Sequence, residues 1–221
     1  RRTVARIDRY EFKHNPDKGK IDSNPYAVAI DPAGGWVVAD AAANDLLHIT
    51  SGGRVSLLAV FKARRDAGSK KRSDSVPTCV ALGPDGAFYV GELRGDGAPR
   101  NSARIWRVAP GSSPTVFASG FNRVVGIDFG PDGSLYVAEL VKTANFTKDL
   151  TGEVIRLAPD GTRTELAPGE LTAPGGVGVG QDGTVYVSVN SVFEGRGQVV
   201  SMAGAGPSPS PSPSGTSTPG P

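Results

Sequence analysis

Cysteine and methionine each occur once in this 221-residue chain, and histidine and tryptophan twice each. A single cysteine excludes an internal disulfide, and one cysteine with two histidines excludes a zinc site built on soft ligands. No apolar run approaches the roughly 18 residues that a membrane-spanning helix needs. The formal net charge is only +2, and the charges are scattered, so nucleic acid lacks the basic footprint it would require. A Gly-x-Ser-x-Gly elbow is missing, and neither His14, in a polar stretch, nor His48, in an apolar run, stands beside a nucleophile motif. Cys79 opens an apolar run and reads as a packed thiol. No segment reads as a long amphipathic helix.

Glycine and proline are plentiful, at 30 and 18, and they punctuate a phrase written four times, over residues 28–40, 80–92, 127–139 and 177–189. Each copy is an apolar run, a turn of Pro-Asp-Gly type and a second apolar run. Three copies end on an acid: Asp40, Glu92 and Glu139. The turn glycines Gly34, Gly86, Gly133 and Gly183 recur about every 50 residues, the period of one supersecondary unit. Apolar runs flanking a glycine free to take positive φ give a β-hairpin. Further apolar runs follow in the repeats, at 46–50 and 55–60, 103–108 and 115–118, and 153–157 and 162–166. Four antiparallel strands per repeat, stacked radially so that each sheet covers its neighbour, predict an all-β β-propeller over residues 1–203. The repeats are expected to start near 25, 77, 123 and 174. Residues 3–9 are expected as an isolated strand left from a repeat whose hairpin lies upstream. Residues 204–221 are rich in Pro and Ser and read as a disordered tail.

The wording of the repeats at 22–28, 38–47, 83–93, 103–108 and 157–163 resembles the ScyD/ScyE family of bacterial proteins, named after genes of a scytonemin pigment cluster. The resemblance runs in the family's order over roughly residues 1–203. It implies a six-bladed, NHL-like or TolB-like propeller, of which about four and a half blades are present. It also implies about two further blades and a secretion signal upstream, and an extracellular location. It implies no defined activity.

Several apparent motifs are products of the repeat. Gly178-Val-Gly-Gln-Asp-Gly183 fits the dinucleotide pattern G-x-G-x-x-G, but a strand follows where the pyrophosphate needs a helix N-terminus. Residues 128–139 mimic a calcium loop, with Gly130 where an acid or amide should stand and strands on both flanks. Residues 62–75 carry six cations against two acids; without interleaved aromatics they read as a solvated, mobile insertion. The sequon Asn145-Phe-Thr147 has meaning only in a eukaryotic secretory pathway.

The enzymatic alternative is a propeller hydrolase or lyase resembling SMP-30 and gluconolactonase, its catalytic set completed by blades outside this chain. Those lactonases aim Asn or Asp at one axial calcium ion. The matching positions here are Tyr26, Thr78, Val124 and Gly175, with no carboxylate or amide among them. The strand-end acids read chiefly as acceptors for backbone donors at the repeat corners. Radial symmetry brings every innermost strand to one channel, so the expected ligand-binding residues at its mouth are Asn24, Tyr26, Thr78, Glu92, Asn122, Arg123 and Glu139. That set suits a small polar molecule or a peptide better than a bare metal. No catalytic residue, metal or cofactor is assigned. The expected protein is a monomeric binding or scaffold module with no nucleic-acid partner.

Overall fold

A computed structural model describes residues 2–143 and 149–204. The sequon at 145–147 and the tail beyond Gly204 lie outside the described residues. The described residues fold into four antiparallel sheets, each a simple meander. The first contains β1 (Pro25–Ile30), β2 (Trp36–Asp40), β3 (Asp45–Ile49) and β4 (Val55–Val60). The second contains β5 (Pro77–Leu82), β6 (Phe88–Glu92), β7 (Ala103–Val108) and β8 (Thr115–Phe121). The third contains β9 (Val124–Phe129), β10 (Leu135–Glu139), β11 (Glu153–Leu157) and β12 (Arg163–Leu166). The fourth has three strands, β13 (Gly176–Val179), β14 (Thr184–Val189) and β15 (Gln198–Ala203).

The leading strands lie side by side in the order β1, β5, β9, β13, the radial stacking of a β-propeller. Each hairpin turns on a glycine in the left-handed region, as Gly86, Gly133 and Gly183 show with φ of 77°, 76° and 81°. Burial is concentrated between sheets. Val37, Leu46, Phe88 and Val108 fill the first interface, Cys79, Ile105, Val124 and Leu135 the second, and Tyr136, Val154, Val185 and Val187 the third. At the two ends of the series apolar groups stay exposed, among them Val28 and Ile30 on β1 and Tyr186 and Val199 on the fourth sheet.

The N-terminal segment corrects the sequence reading. Instead of an isolated strand over 3–9, the chain forms α1 (Ile7–His14). Asp8 stands in its first turn and Lys13 and His14 in its last, which complements the helix dipole. Asn15 closes it in the left-handed conformation, its backbone N–H donating to the Glu11 carbonyl at 2.8 Å. Eight residues are too few to show helical periodicity, and alternation at 4–7 imitates a strand. The insertion at 62–75 also departs from expectation. Arg64 and Ser73 form a β-bridge, and Arg64 runs inward to the second sheet, so the segment is anchored by one of the very cations that made it look solvated.

Candidate functional site

The strand starts near the axis are shaped by β-bulges. In β1 the pairing passes from Pro25 opposite Asp40 to Ala27 opposite Ala39, and in β5 from Pro77 opposite Glu92 to Cys79 opposite Gly91. The extra residues are Tyr26 and Thr78, and a bulge re-aims its side chain. In β9 the extra residue is Val125, because Val124 faces Glu139 and Gly126 faces Ala138. The equivalent of Tyr26 in the third sheet is therefore Val125, one place after Val124. Tyr26 is exposed. Thr78 is buried and its hydroxyl donates to the Val124 carbonyl at 2.6 Å, tying the second sheet to the third.

The three strand-end acids meet three fates. Asp40 is the corner acceptor that the sequence implies. Its Oδ1 takes backbone N–H groups from Asn24 at 2.6 Å, Ala42 at 3.2 Å and Ala43 at 3.1 Å, and its Oδ2 takes the Ser23 hydroxyl at 2.6 Å. Glu92 accepts one backbone N–H, from Arg104, but is held mainly by side chains. Arg64 grips it through both terminal nitrogens at 2.7 and 2.6 Å, and Ser75 and Trp106 donate at 2.7 and 2.6 Å. Glu139 is fully buried, and neither of its oxygens makes a hydrogen bond among the described residues. Burial pushes its carboxyl up to about 7; nearby Asn122 opposes the rise and Glu153, directly across on β11, adds to it.

Asn122 and Arg123, between β8 and β9, do come together. They line a small pocket with Leu93, Arg94, Arg100 and Thr143, with room of about 20 Å³, enough for a water-sized group. Asn122 accepts the Asn101 backbone N–H at 2.9 Å and donates to the Lys142 carbonyl at 3.2 Å, to which Arg100 also donates at 3.3 Å. Arg123 donates to the Arg94 carbonyl at 3.0 Å. Arg94 itself sits at φ 70° with its guanidinium inside the protein, bound to Ser73, the Asp74 carbonyl and Asp66. Arg94 thus lines the opening with its buried guanidinium turned away, and the guanidinium groups beside it are those of Arg100 and Arg123.

Of the expected channel-mouth set, then, the structure gathers Asn122 and Arg123. Asn24 and Tyr26 are exposed at the start of the first sheet, Thr78 is committed to Val124, and Glu92 is enclosed by its own partners. The sequence reading missed Arg64, Arg94 and Arg100, which lie in or next to irregular segments where no periodicity marks them. It also missed Glu11 and Asp45, both buried with carboxylates that make no hydrogen bond among the described residues. Among the described residues, no group of three or more His, Cys, Asp or Glu side chains is placed to hold a metal ion. The imitation motifs resolve as turns: Asp128 accepts the Phe129 and Val179 backbone N–H groups at 2.9 and 2.8 Å, and Gly178, Gly180 and Gly183 belong to the β13–β14 hairpin.

No family model matches the sequence, and no curated protein does so at a significant level. Solved structures do, and they define the class: they are β-propeller proteins. A virginiamycin B lyase from Staphylococcus aureus superposes with a TM-score of 0.53 at 19% identity, over 82% of this chain and 56% of its own. A gluconolactonase from Xanthomonas campestris gives 0.56 at 20% identity, over 80% and 57%. A streptogramin B lyase gives 0.56 at 18% identity, over 82% and 55%. The chain thus spans little more than half the length of these structures. At such identities the likeness is one of fold.

Proposed function

We propose that this chain belongs to a secreted ScyD/ScyE-type β-propeller acting as a binding module. The pocket between the second and third sheets takes the anionic end of a small polar molecule or peptide. The observation that carries this reading is the convergence of Arg100, Arg123 and Asn122 on one opening, a donor set matched to a carboxylate. The pocket itself has room for a water-sized group, so the carboxylate meets these donors at the mouth, with the rest of the ligand on the surface. Asp40 and Glu92 support it indirectly, since both direct their oxygens at the protein's own donors. Calorimetric titration with succinate and with peptides bearing a free C-terminal carboxylate tests the reading. Binding should weaken at least tenfold in Arg123→Ala and in Arg100→Ala, and peptides amidated at the C-terminus should not bind. Equal binding of free and amidated peptides would sink it.

A second reading, a propeller hydrolase or lyase, is favoured by two observations. Lyases and a gluconolactonase are among the structural neighbours, and Glu139, held near neutrality beside Asn122, has the acidity of a proton-transfer group. Assay of lactones with and without calcium tests it: turnover lost in Glu139→Gln supports the enzyme.

A further inference from the structure

At the hairpin-turn end of the first and second sheets, away from the arginine pocket, lies a cleft of about 790 Å³. Leu57, Leu58, Leu82 and Phe88 wall it, and His48 with Asp31 forms its polar end. His48 Nε2 lies 3.0 Å from the Gly34 carbonyl and 3.3 Å from Asp31 Oδ2. An Nε2–H can donate to either of these oxygens.

The repeat explains why this space exists. At the next interface Tyr89 meets Phe117 and Phe129 edge-on, with ring centroids 4.8 and 4.9 Å apart. Its hydroxyl lies 3.2 Å from Asp85 Oδ2, which also takes the Arg107 Nε–H at 2.6 Å. The strand registers give the counterparts in the first sheet. Val37 faces His48 as Tyr89 faces Arg107; Leu58 in β4 and Phe117 in β8 are bulged residues at matching places; Leu82 and Phe129 end β5 and β9. Ala33 occupies the turn position of Asp85. Three aromatic rings and a guanidinium at one interface are therefore replaced by three aliphatic groups and an imidazole at the other. Tyrosine returns at this position as Tyr136 and Tyr186 in the third and fourth repeats; the first repeat alone has valine.

We propose that this cleft binds a small hydroxylated aromatic molecule. Its ring takes the place that Tyr89 fills one interface further on, and its hydroxyl donates to the His48–Asp31 pair. The volume falls within the roughly 300–1,000 Å³ of small-molecule sites, and apolar walls with a few polar groups at one end are their usual make-up. The Asp31 carboxylate offers an acceptor at this end of the cleft, so a phenolic donor is complementary and a carboxylate is repelled.

The test titrates the purified chain with 4-methylphenol, toluene and 4-methylbenzoate, followed by calorimetry and by the His48 ring resonances. The expected result is binding of 4-methylphenol at least tenfold tighter than of the other two, with His48 shifted. Val37→Tyr should fill the cleft from within and reduce 4-methylphenol binding at least tenfold. Should that variant fail to fold, Leu58→Phe narrows the same wall and should weaken binding at least threefold. Asp31→Asn should weaken 4-methylphenol while leaving toluene unchanged. Absence of 4-methylphenol binding at millimolar concentration, preference for toluene or the benzoate, or binding unaffected by both filling variants would overturn the proposal.

Discussion

Arg64 and Glu92 form a two-point ion pair, at 2.7 and 2.6 Å, between the insertion that follows the first sheet and the strand-end corner of the second. Glu92 is completely buried, so its charge depends on this partner. Removing one member of a buried pair leaves the other uncompensated, at a cost of about 3–5 kcal/mol. Arg64→Ala should therefore lower the unfolding free energy by that order, read as a fall in the urea midpoint at unchanged slope, and Arg64→Met with Glu92→Gln should recover much of the loss. A single Arg64→Ala that unfolds like the parent would show that the insertion is not an anchor.

The corresponding corner of the first sheet is built differently. Asp45 stands directly opposite Asp40, and Asp45 is pushed up to about 8 by burial, with Asp40, Glu11 and Asp17 adding repulsion. A carboxyl whose folded pKa lies above its unfolded value binds more protons when folded. Its contribution is therefore full below about pH 4 and is lost as pH rises through about 8. Asp45→Asn should be more stable than the parent at pH 8–9 by on the order of a few kcal/mol, with the advantage shrinking towards pH 4. Chemical denaturation across that range checks it, and parallel pH profiles would refute the assignment.

Periodicity decides how much was legible in the sequence. The hairpins, their turn glycines and the stacking of sheets arise from a phrase repeated four times, because register and turn chemistry are local. Asp40 was legible as a corner acceptor for the same reason. Glu92 and Glu139 occupy that repeat position too, yet what surrounds them comes from distant or irregular segments: Arg64 binds Glu92 from the insertion, and Asn122 lies near Glu139 in a strand connection. Nothing in the spacing of Arg64 separates it from five neighbouring cations. The first-repeat cleft was visible in principle, as Val37 where the other copies carry tyrosine, but its meaning needs the knowledge that Phe117 and Phe129 surround Tyr89.

Cys79 is buried, and its thiol is pushed up to about 12 by desolvation. The thiolate is the nucleophile, so iodoacetamide at pH 8 should leave the folded chain unmodified and label it stoichiometrically in urea. Labelling of the native protein at the rate of a free thiol would contradict the burial.

Two inner-strand contacts separate steric strain that can relax from strain that cannot. A Cβ on Gly91 would fall 2.5 Å from Cys79 Sγ and 2.7 Å from Val124 Cγ1, both side-chain atoms. A Cβ on Gly126 would fall 2.8 Å from the Gly176 Cα and 2.8 Å from the Val177 backbone nitrogen, both backbone atoms of β13. Side chains can change rotamer, whereas backbone can yield only by moving a whole sheet. Gly91→Ala should thus cost about 1–3 kcal/mol, and part of that should return in the double variant with Cys79→Ala. Gly126→Ala should cost more, and no single side-chain truncation should rescue it. Denaturant titration of the four proteins decides; a smaller loss for Gly126→Ala than for Gly91→Ala would mean that the third and fourth sheets separate more easily than their packing implies.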